Sequence, residues 1–221
     1  PISTPLPSSA ASDVYKRQVD YVCTIIFTSG TTGASKGAVI KYQSLMNTRE
    51  IHEAYNPLAI DVGGDNRFIS YLPLNHIFER ICIEWTALRY GGSISFVESL
   101  ETFGQNLADT KPTTFQGVPR IYTKFQEKIL AKMSQKKLNI FLKIPIVSSL
   151  IKKKLKAALG LTEVRVVVSG AAALPVSLID WYKTIGIYIF NGYGMTENCC
   201  VCTALDPCLL YTSDAADECS G

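Results

Sequence analysis

The chain has 221 residues, 47% of them hydrophobic, with 22 Lys and Arg against 19 Asp and Glu and a formal net charge of +3. That composition carries a sizeable core, and the length suits one domain or most of one. No run approaches the ~20 apolar residues of a membrane span, and the mild basicity suits an anionic ligand without demanding one.

Two end stretches are set aside first. Residues 8–18, SSAASDVYKRQ, and 208–218, CLLYTSDAADE, are encoded by the two strands of one DNA string, which unrelated protein segments have no physical reason to share. The string is identified as a transposase adaptor of the kind used for sequencing libraries. Residues 1–18 and 208–221 are therefore expected to be scars, and 19–207 a piece of a longer gene product. Within 19–207 the basic residues fall to 20 and the acidic ones to 15, for a net charge of +5. Cys23, Cys82, Cys199, Cys200 and Cys202 remain there. An odd number, one in an expected buried strand, argues for reduced thiols in a cytosol-like compartment. With no histidine nearby, the Cys199–Cys202 cluster reads as core or near-core thiols and not as a metal site.

In chain order, residues 22–27 are apolar and β-branched and read as a buried strand. A loop rich in Gly, Ser and Thr follows, then a short strand over 38–40 and a helix over 42–55 that Asn56-Pro57 ends. Paired glycines mark a turn at 61–65, and 67–72 is a strand. Asn75 is expected to cap a helix over 76–90, which Gly91-Gly92 stops. Strands at 94–96, 113–118, 164–168 and 187–190 alternate with helices at 102–109, after Pro119 and at 175–185. This alternation predicts an α/β fold of mostly parallel sheets with flanking helices. Ligands of such sheets collect beyond the carboxyl ends of strands. Four candidate turns fall there: the loop from Thr28, the Asn75-His76 turn, residues 169–173 and residues 191–197.

The loop reads Thr28-Ser29-Gly30-Thr31-Thr32-Gly33-Ala34-Ser35-Lys36-Gly37. Glycines let backbone N–H groups turn inward, the hydroxyls donate, and Lys36 brings a point charge, which together make an anion cradle. A Walker A loop would need Gly at Ser35 and Ser or Thr at Gly37, so a P-loop NTPase is rejected. The bland alternative, a flexible surface loop, fits poorly with so dense a string directly after a buried strand.

This loop resembles the phosphate-binding signature of the adenylate-forming superfamily, which includes acyl-CoA synthetases, luciferases and peptide-synthetase adenylation domains. Tyr71-Leu72-Pro73-Leu74-Asn75-His76-Ile77-Phe78-Glu79-Arg80 is similar to the family's fourth core motif in its long-chain fatty-acyl-CoA synthetase form. Asn191-Gly192-Tyr193-Gly194-Met195-Thr196-Glu197-Asn198 is similar to the fifth. Ser35 departs from the family's usual proline, which loosens the loop without removing a ligand.

The resemblance implies that residues 19–207 are part of an adenylation domain whose C-terminal lid is absent. The reaction it implies joins a fatty acid to ATP, giving an acyl-adenylate and pyrophosphate, then transfers the acyl group to coenzyme A. It assigns Thr28, Ser29, Gly30, Thr31, Thr32, Gly33 and Lys36 to the β- and γ-phosphates. Gly170, Ala171 and Ala172 would border adenine and the acyl pocket. Asn191, Gly192, Tyr193 and Gly194 would enclose the base, with Tyr193 stacked on it and Thr196 on the α-phosphate. His76 would stand beside the substrate carboxylate, and Glu197, with Thr28, would bind Mg²⁺. Without the motifs, Tyr193 reads as a packed aromatic and His76 as a structural group at a helix start. Glu79 and Arg80 are expected to orient their helix and not to react.

The family's ribose-binding Asp, hinge and lid Lys have no counterpart in the chain, so it is expected to be inactive by itself. Two alternatives stand beside the ligase: an adenylating enzyme for another carboxylic acid, and a non-catalytic nucleotide-binding fragment. Residues 124–156 hold ten lysines among apolar residues. A solvated helical face is the plainer reading, and peripheral contact with anionic lipid is the functional one. A cytoplasmic location is expected, with membrane association through that region; nucleic-acid binding is not expected, because no recognition module accompanies the charge.

Overall fold

A computed structural model describes residues 20–28, 35–200 and 202–205. β1 (Val22–Thr28) and β2 (Lys36–Lys41) form an antiparallel hairpin that pairs Thr28 with Lys36. The strand expected to be buried has only Ile26 buried, because a two-stranded hairpin leaves Val22, Ile25 and Phe27 exposed. Ser29, Gly30, Thr31, Thr32 and Gly33, all expected phosphate ligands, lie outside the described residues. α1 (Tyr42–Tyr55) has its predicted bounds. It ends because Asn56 turns left-handed at φ 42° and its side chain bonds the backbone of Ile60 in both directions, at 2.9 and 2.7 Å.

β3 (Arg67–Ser70) pairs in parallel with β4 (Ser93–Phe96). Between them one helix, α2, runs without a break through Ile77–Glu79, a π-helical stretch Arg80–Trp85, and Thr86–Tyr90. Gly91, at φ 78°, stops it. Its cap is His76 and not the predicted Asn75. The helix starts one residue later than expected, and His76 Nδ1 accepts the Phe78 N–H at 3.2 Å, a reach that Asn75 lacks.

α3 (Phe103–Thr110) leads into β5 (Thr114–Gly117) and α4 (Pro119–Lys132). Pro119 sits in the first turn of α4, where a missing N–H costs nothing. Then come α5 (Gln135–Leu142), α6 (Pro145–Ala158), β6 (Val166–Ser169), α7 (Val176–Thr184) and β7 (Ile189–Tyr193). A 3₁₀ turn, Thr196–Asn198, precedes the short β8 (Thr203–Leu205). The order β5-β6-β7-β8 is parallel except for β8. Thr113, just before β5, joins this sheet to β3: its N–H donates to the Arg67 carbonyl at 3.0 Å and its hydroxyl accepts the Arg67 N–H at 3.1 Å. The parallel expectation therefore holds from β3 to β7, with antiparallel pairing in the hairpin and at β8. β7 also runs on through Asn191, Gly192 and Tyr193, placed by the sequence in a turn, because β8 pairs Tyr193 with Thr203.

β6 divides the core by its period of two. Val167 faces a layer that includes Phe115, Tyr122, Ile179, Tyr182 and Ile189. Val166 and Val168 face a second layer with Phe68, Phe78 and Cys82. Through the first layer, the Tyr182 hydroxyl donates to the Tyr122 carbonyl at 2.7 Å and the Tyr122 hydroxyl to the Val168 carbonyl at 2.6 Å. A third cluster of Ile26, Ile40, Leu45, Ile77, Ile81 and Cys199 ties the hairpin to α2 and to the segment after the 3₁₀ turn.

Candidate active site

A cavity of about 590 Å³ opens at the carboxyl ends of β6 and β7. Its size falls within the ~300–1,000 Å³ typical of small-molecule sites. His76, Gly170, Ala171, Gly192 and Gly194, drawn from three of the four candidate turns, share its wall. The same wall includes residues not singled out in the sequence: His52 and Tyr55 from α1, Phe78 and Cys82 from α2, Val168 and Phe190. Phe78 stands inside a quoted motif and was within reach. His52 and Tyr55 belong to a helix with no local mark of a site.

The glycines are there for space. A Cβ on Gly170 would come within 3.2 Å of the Phe78 ring, and one on Gly194 within 1.9 Å of the Cys200 carbonyl oxygen. Ala171 adopts a left-handed φ of 68°, a strained position for a residue with a side chain. Just before the wall residues Gly170 and Gly192 in sequence, Ser169 Oγ and Asn191 Oδ1 are buried with no hydrogen-bond partner, as is Gln116 Oε1. Ser169 pairs in register with Asn191, and Gln116 precedes the partner of Ser169, Gly117. Buried polar atoms are normally satisfied, so this uncommitted group stands out among the described residues.

The remaining candidates lie off this wall. Thr28 Oγ1 donates to the Lys36 carbonyl at 3.4 Å, and Lys36 is exposed. Ala172, Tyr193 and Glu197 are exposed and Thr196 is half-buried. β2 nevertheless packs against the Thr196–Asn198 turn, and Cys199 is buried with Ile26 and Ile40, so the strand of Lys36 and the turn of Glu197 are neighbours. Among the described residues no three His, Cys, Asp or Glu are grouped to hold a metal ion. A hard cation at Glu197 would need phosphate oxygens to complete its shell.

The thiols divide. Cys199 is buried and Cys200 half-buried, in line with the core or near-core reading, whereas Cys202 is exposed, which corrects that reading there. Cys82 faces Cys200, and that contact together with burial pushes the Cys82 thiol well above its ordinary range.

Glu79 is only 1% exposed. Burial pushes its carboxyl above the ordinary value of 4.5, partly offset by the Ser70 hydroxyl and the Leu72 and Tyr71 backbone N–H groups that face it. The carboxyl thus ties the start of α2 to the end of β3. Folding raises this pKa, so the stability it contributes is full below the unfolded value and is lost as pH rises through the folded one. Glu79→Gln should flatten that loss. Between about pH 5 and about pH 8 the variant's melting temperature is expected to fall less than wild type's, by about 2–4 °C for each kcal/mol recovered. Parallel falls in scanning fluorimetry would show that the carboxyl titrates alike in both states.

Comparison with known proteins adds to this geometry. The sequence model of the family described as AMP-binding enzyme matches residues 4–218. Long chain acyl-CoA synthetase 3 of Arabidopsis thaliana is 32% identical over 208 residues, which cover 83% of this chain and 31% of that protein. Long-chain-fatty-acid–CoA ligase 5 of Rattus norvegicus is 28% identical over 207 residues, covering 83% of this chain and 29% of that protein. Among solved structures, a malonyl-CoA ligase with methylmalonyl-CoA and AMP bound superposes with a TM-score of 0.59 and 27% identity, over 83% of this chain and 34% of that one. The chain thus spans about a third of the length of the relatives it matches.

Proposed function

Because this chain belongs to the AMP-binding enzyme family, we propose that it is part of a long-chain fatty acid–CoA ligase. In that reaction a fatty-acid carboxylate attacks the α-phosphorus of ATP and pyrophosphate leaves. The coenzyme A thiol then takes the acyl group from the acyl-adenylate, releasing AMP. The attack sets an anion on a polyanion, so the protein's work is charge neutralisation and alignment.

On this reading the cavity receives adenosine between Gly170-Ala171 and Gly192-Gly194, with Ala172 at its rim, Tyr193 against the base, and Ser169 and Asn191 offering their free polar atoms. Thr196 donates to the α-phosphate, and His76 stands where the carboxylate arrives. The loop from Thr28 through Ser29, Gly30, Thr31, Thr32 and Gly33 to Lys36 grips the β- and γ-phosphates. Mg²⁺, when held by Glu197 with Thr28, would neutralise phosphate charge. One observation carries the proposal: segments far apart in sequence, at His76, Gly170 and Gly192, close on one cavity, and the residues just before Gly170 and Gly192 hold buried polar atoms without partners.

Mg-ATP is expected to stabilise the 221-residue chain. The gain is about 2.7 kcal/mol when ligand stands at 100 times its Kd. Lys36 is exposed, so Lys36→Ala should leave the fold intact. It should weaken Mg-ATP about 10- to 100-fold, the worth of a charged hydrogen bond of roughly 1.5–3 kcal/mol. A folded wild-type chain with no shift in melting temperature would refute the proposal.

The fatty acid is favoured by the His76-Ile77-Phe78-Glu79-Arg80 string and by the names of the curated relatives. The likeness to a malonyl-CoA ligase favours a second reading, activation of a shorter acid. Pyrophosphate exchange by the whole gene product, across acids of graded length, separates the two. Spanning only about a third of its relatives, the chain itself should yield no acyl-CoA; product formation by it in a thiol-consumption assay would overturn that expectation.

A further inference from the structure

A second cavity, of about 620 Å³, lies at the opposite end of the parallel sheet. Its wall comes from residues that precede strands: Lys111 before β5, Glu163 before β6 and Gly186 before β7. α6 closes it with Lys152, Lys153 and Lys156, so four lysines meet one carboxylate. The nucleotide cavity is lined by residues at the other, carboxyl ends of β6 and β7, so the two sites are separate.

α6 has two faces. Ile151 and Leu155 pack against the main core. Ile146 is 85% exposed and Leu150 53% exposed, four residues apart on the other face. Lys153 and Ala157 continue that stripe at helical spacing and reach the basic cavity. Ile140 and Ile144, also exposed, lengthen the apolar end. The stripe therefore runs from apolar to basic over about 16 Å of helix. Residues 124–156 carry ten lysines against one acidic residue, Glu127.

We propose that this face of α6 docks on an anionic phospholipid surface, with Ile146 and Leu150 in the headgroup–acyl boundary and a lipid phosphate in the Lys111–Lys152–Lys153–Lys156 cavity. Charge complementarity selects the occupant. A small soluble anion would engage the lysines and leave the isoleucines in water, whereas a bilayer satisfies both halves of the stripe. Among the described residues no helix is long and apolar enough to cross a membrane. The contact is that of a helix lying in the interface plane, its lysine heads held toward the phosphates. It does not depend on the ligase assignment.

The test is flotation of the 221-residue chain with vesicles of phosphatidylcholine alone or containing about 30 mol % phosphatidylserine. Capture is expected on the anionic vesicles, about tenfold or more above the neutral ones, and reduced by high salt. Ile146→Asp with Leu150→Asp should lose about tenfold or more of it without lowering the melting temperature, since both side chains are exposed. Lys153→Glu with Lys156→Glu should do the same. Equal capture by both vesicles, or wild-type capture by the Asp double variant, would overturn the proposal. So would competition by soluble glycerophosphoserine as strong as by vesicles, which marks a small-anion site. Failure of the folded wild-type chain to float would also overturn it, and would assign the face to another part of the longer protein.

Discussion

Gly194→Ala should abolish the Mg-ATP response of this chain. The added Cβ would lie 1.9 Å from the carbonyl oxygen of Cys200 and 2.3 Å from its carbon. Both are backbone atoms, so no rotamer relieves the clash. The turn that must move is held by the Cys200 N–H on the Met195 carbonyl at 2.9 Å and the Met195 N–H on Asn198 Oδ1 at 2.8 Å. Thr196 and Glu197 travel with it. Overpacking of this kind costs about 1–3 kcal/mol in stability, a melting-temperature drop of about 2–12 °C. Gly192→Ala is the control. Its Cβ would meet nothing nearer than 3.7 Å, and the variant should melt like wild type. A Gly194→Ala chain with an undiminished Mg-ATP shift would remove the Thr196–Cys200 turn from the site.

The largest loss of stability is expected at Tyr122. Its ring is fully buried, edge-on to Phe115 at 6.0 Å and to Tyr182 at 5.7 Å. Tyr122→Ala should cost about 3–5 kcal/mol, the range for deleting a buried aromatic ring. Tyr122→Phe isolates the hydroxyl, whose loss leaves the Val168 carbonyl without that donor, at about 1–3 kcal/mol. Urea unfolding measures both. Val168 lines the cavity proposed for the nucleotide, so the hydroxyl also bears on that wall. Equal midpoints for Tyr122→Phe and wild type would show that this bond adds nothing net.

Punctuation and periodicity marked the parts of the fold that could be read in advance. Asn56-Pro57 and Gly91 fixed the ends of α1 and α2, and Pro119 the start of α4. The short apolar runs located every strand from β1 to β7. Two things were hidden. β8 has three residues and exists through its pairing with β7, a long-range fact that also carried β7 through Asn191, Gly192 and Tyr193. The lysine-rich stretch read as a helical face, but its charge masked the separate bounds of α5 and α6, whose N-terminal boundary residues, Ser134 and Ile144, make no side-chain cap. At the site, His76, Gly170, Ala171, Gly192 and Gly194, singled out by their resemblance to family motifs, line one cavity. The far wall of His52 and Tyr55 arises only when the Ile26–Ile40–Cys199 cluster draws the hairpin and α1 toward α2.

The wide coil within α2 sets a rule of length. From Arg80 to Trp85 the bonds reach five residues back, as when the Thr86 N–H finds the Ile81 carbonyl. Deleting one residue there would let the coil tighten to the ordinary pitch and keep the face downstream, because five α-helical steps of about 100° turn the chain about as far as six wider steps of about 80°. Thr86 and Ala87 would stay inside, and Leu88 and Arg89 in water. Family members that keep this cavity are therefore expected to have this number of residues between His76 and Gly91 or one fewer, the shorter ones with an unbroken α-helix. Other insertions and deletions should collect in turns such as 61–65.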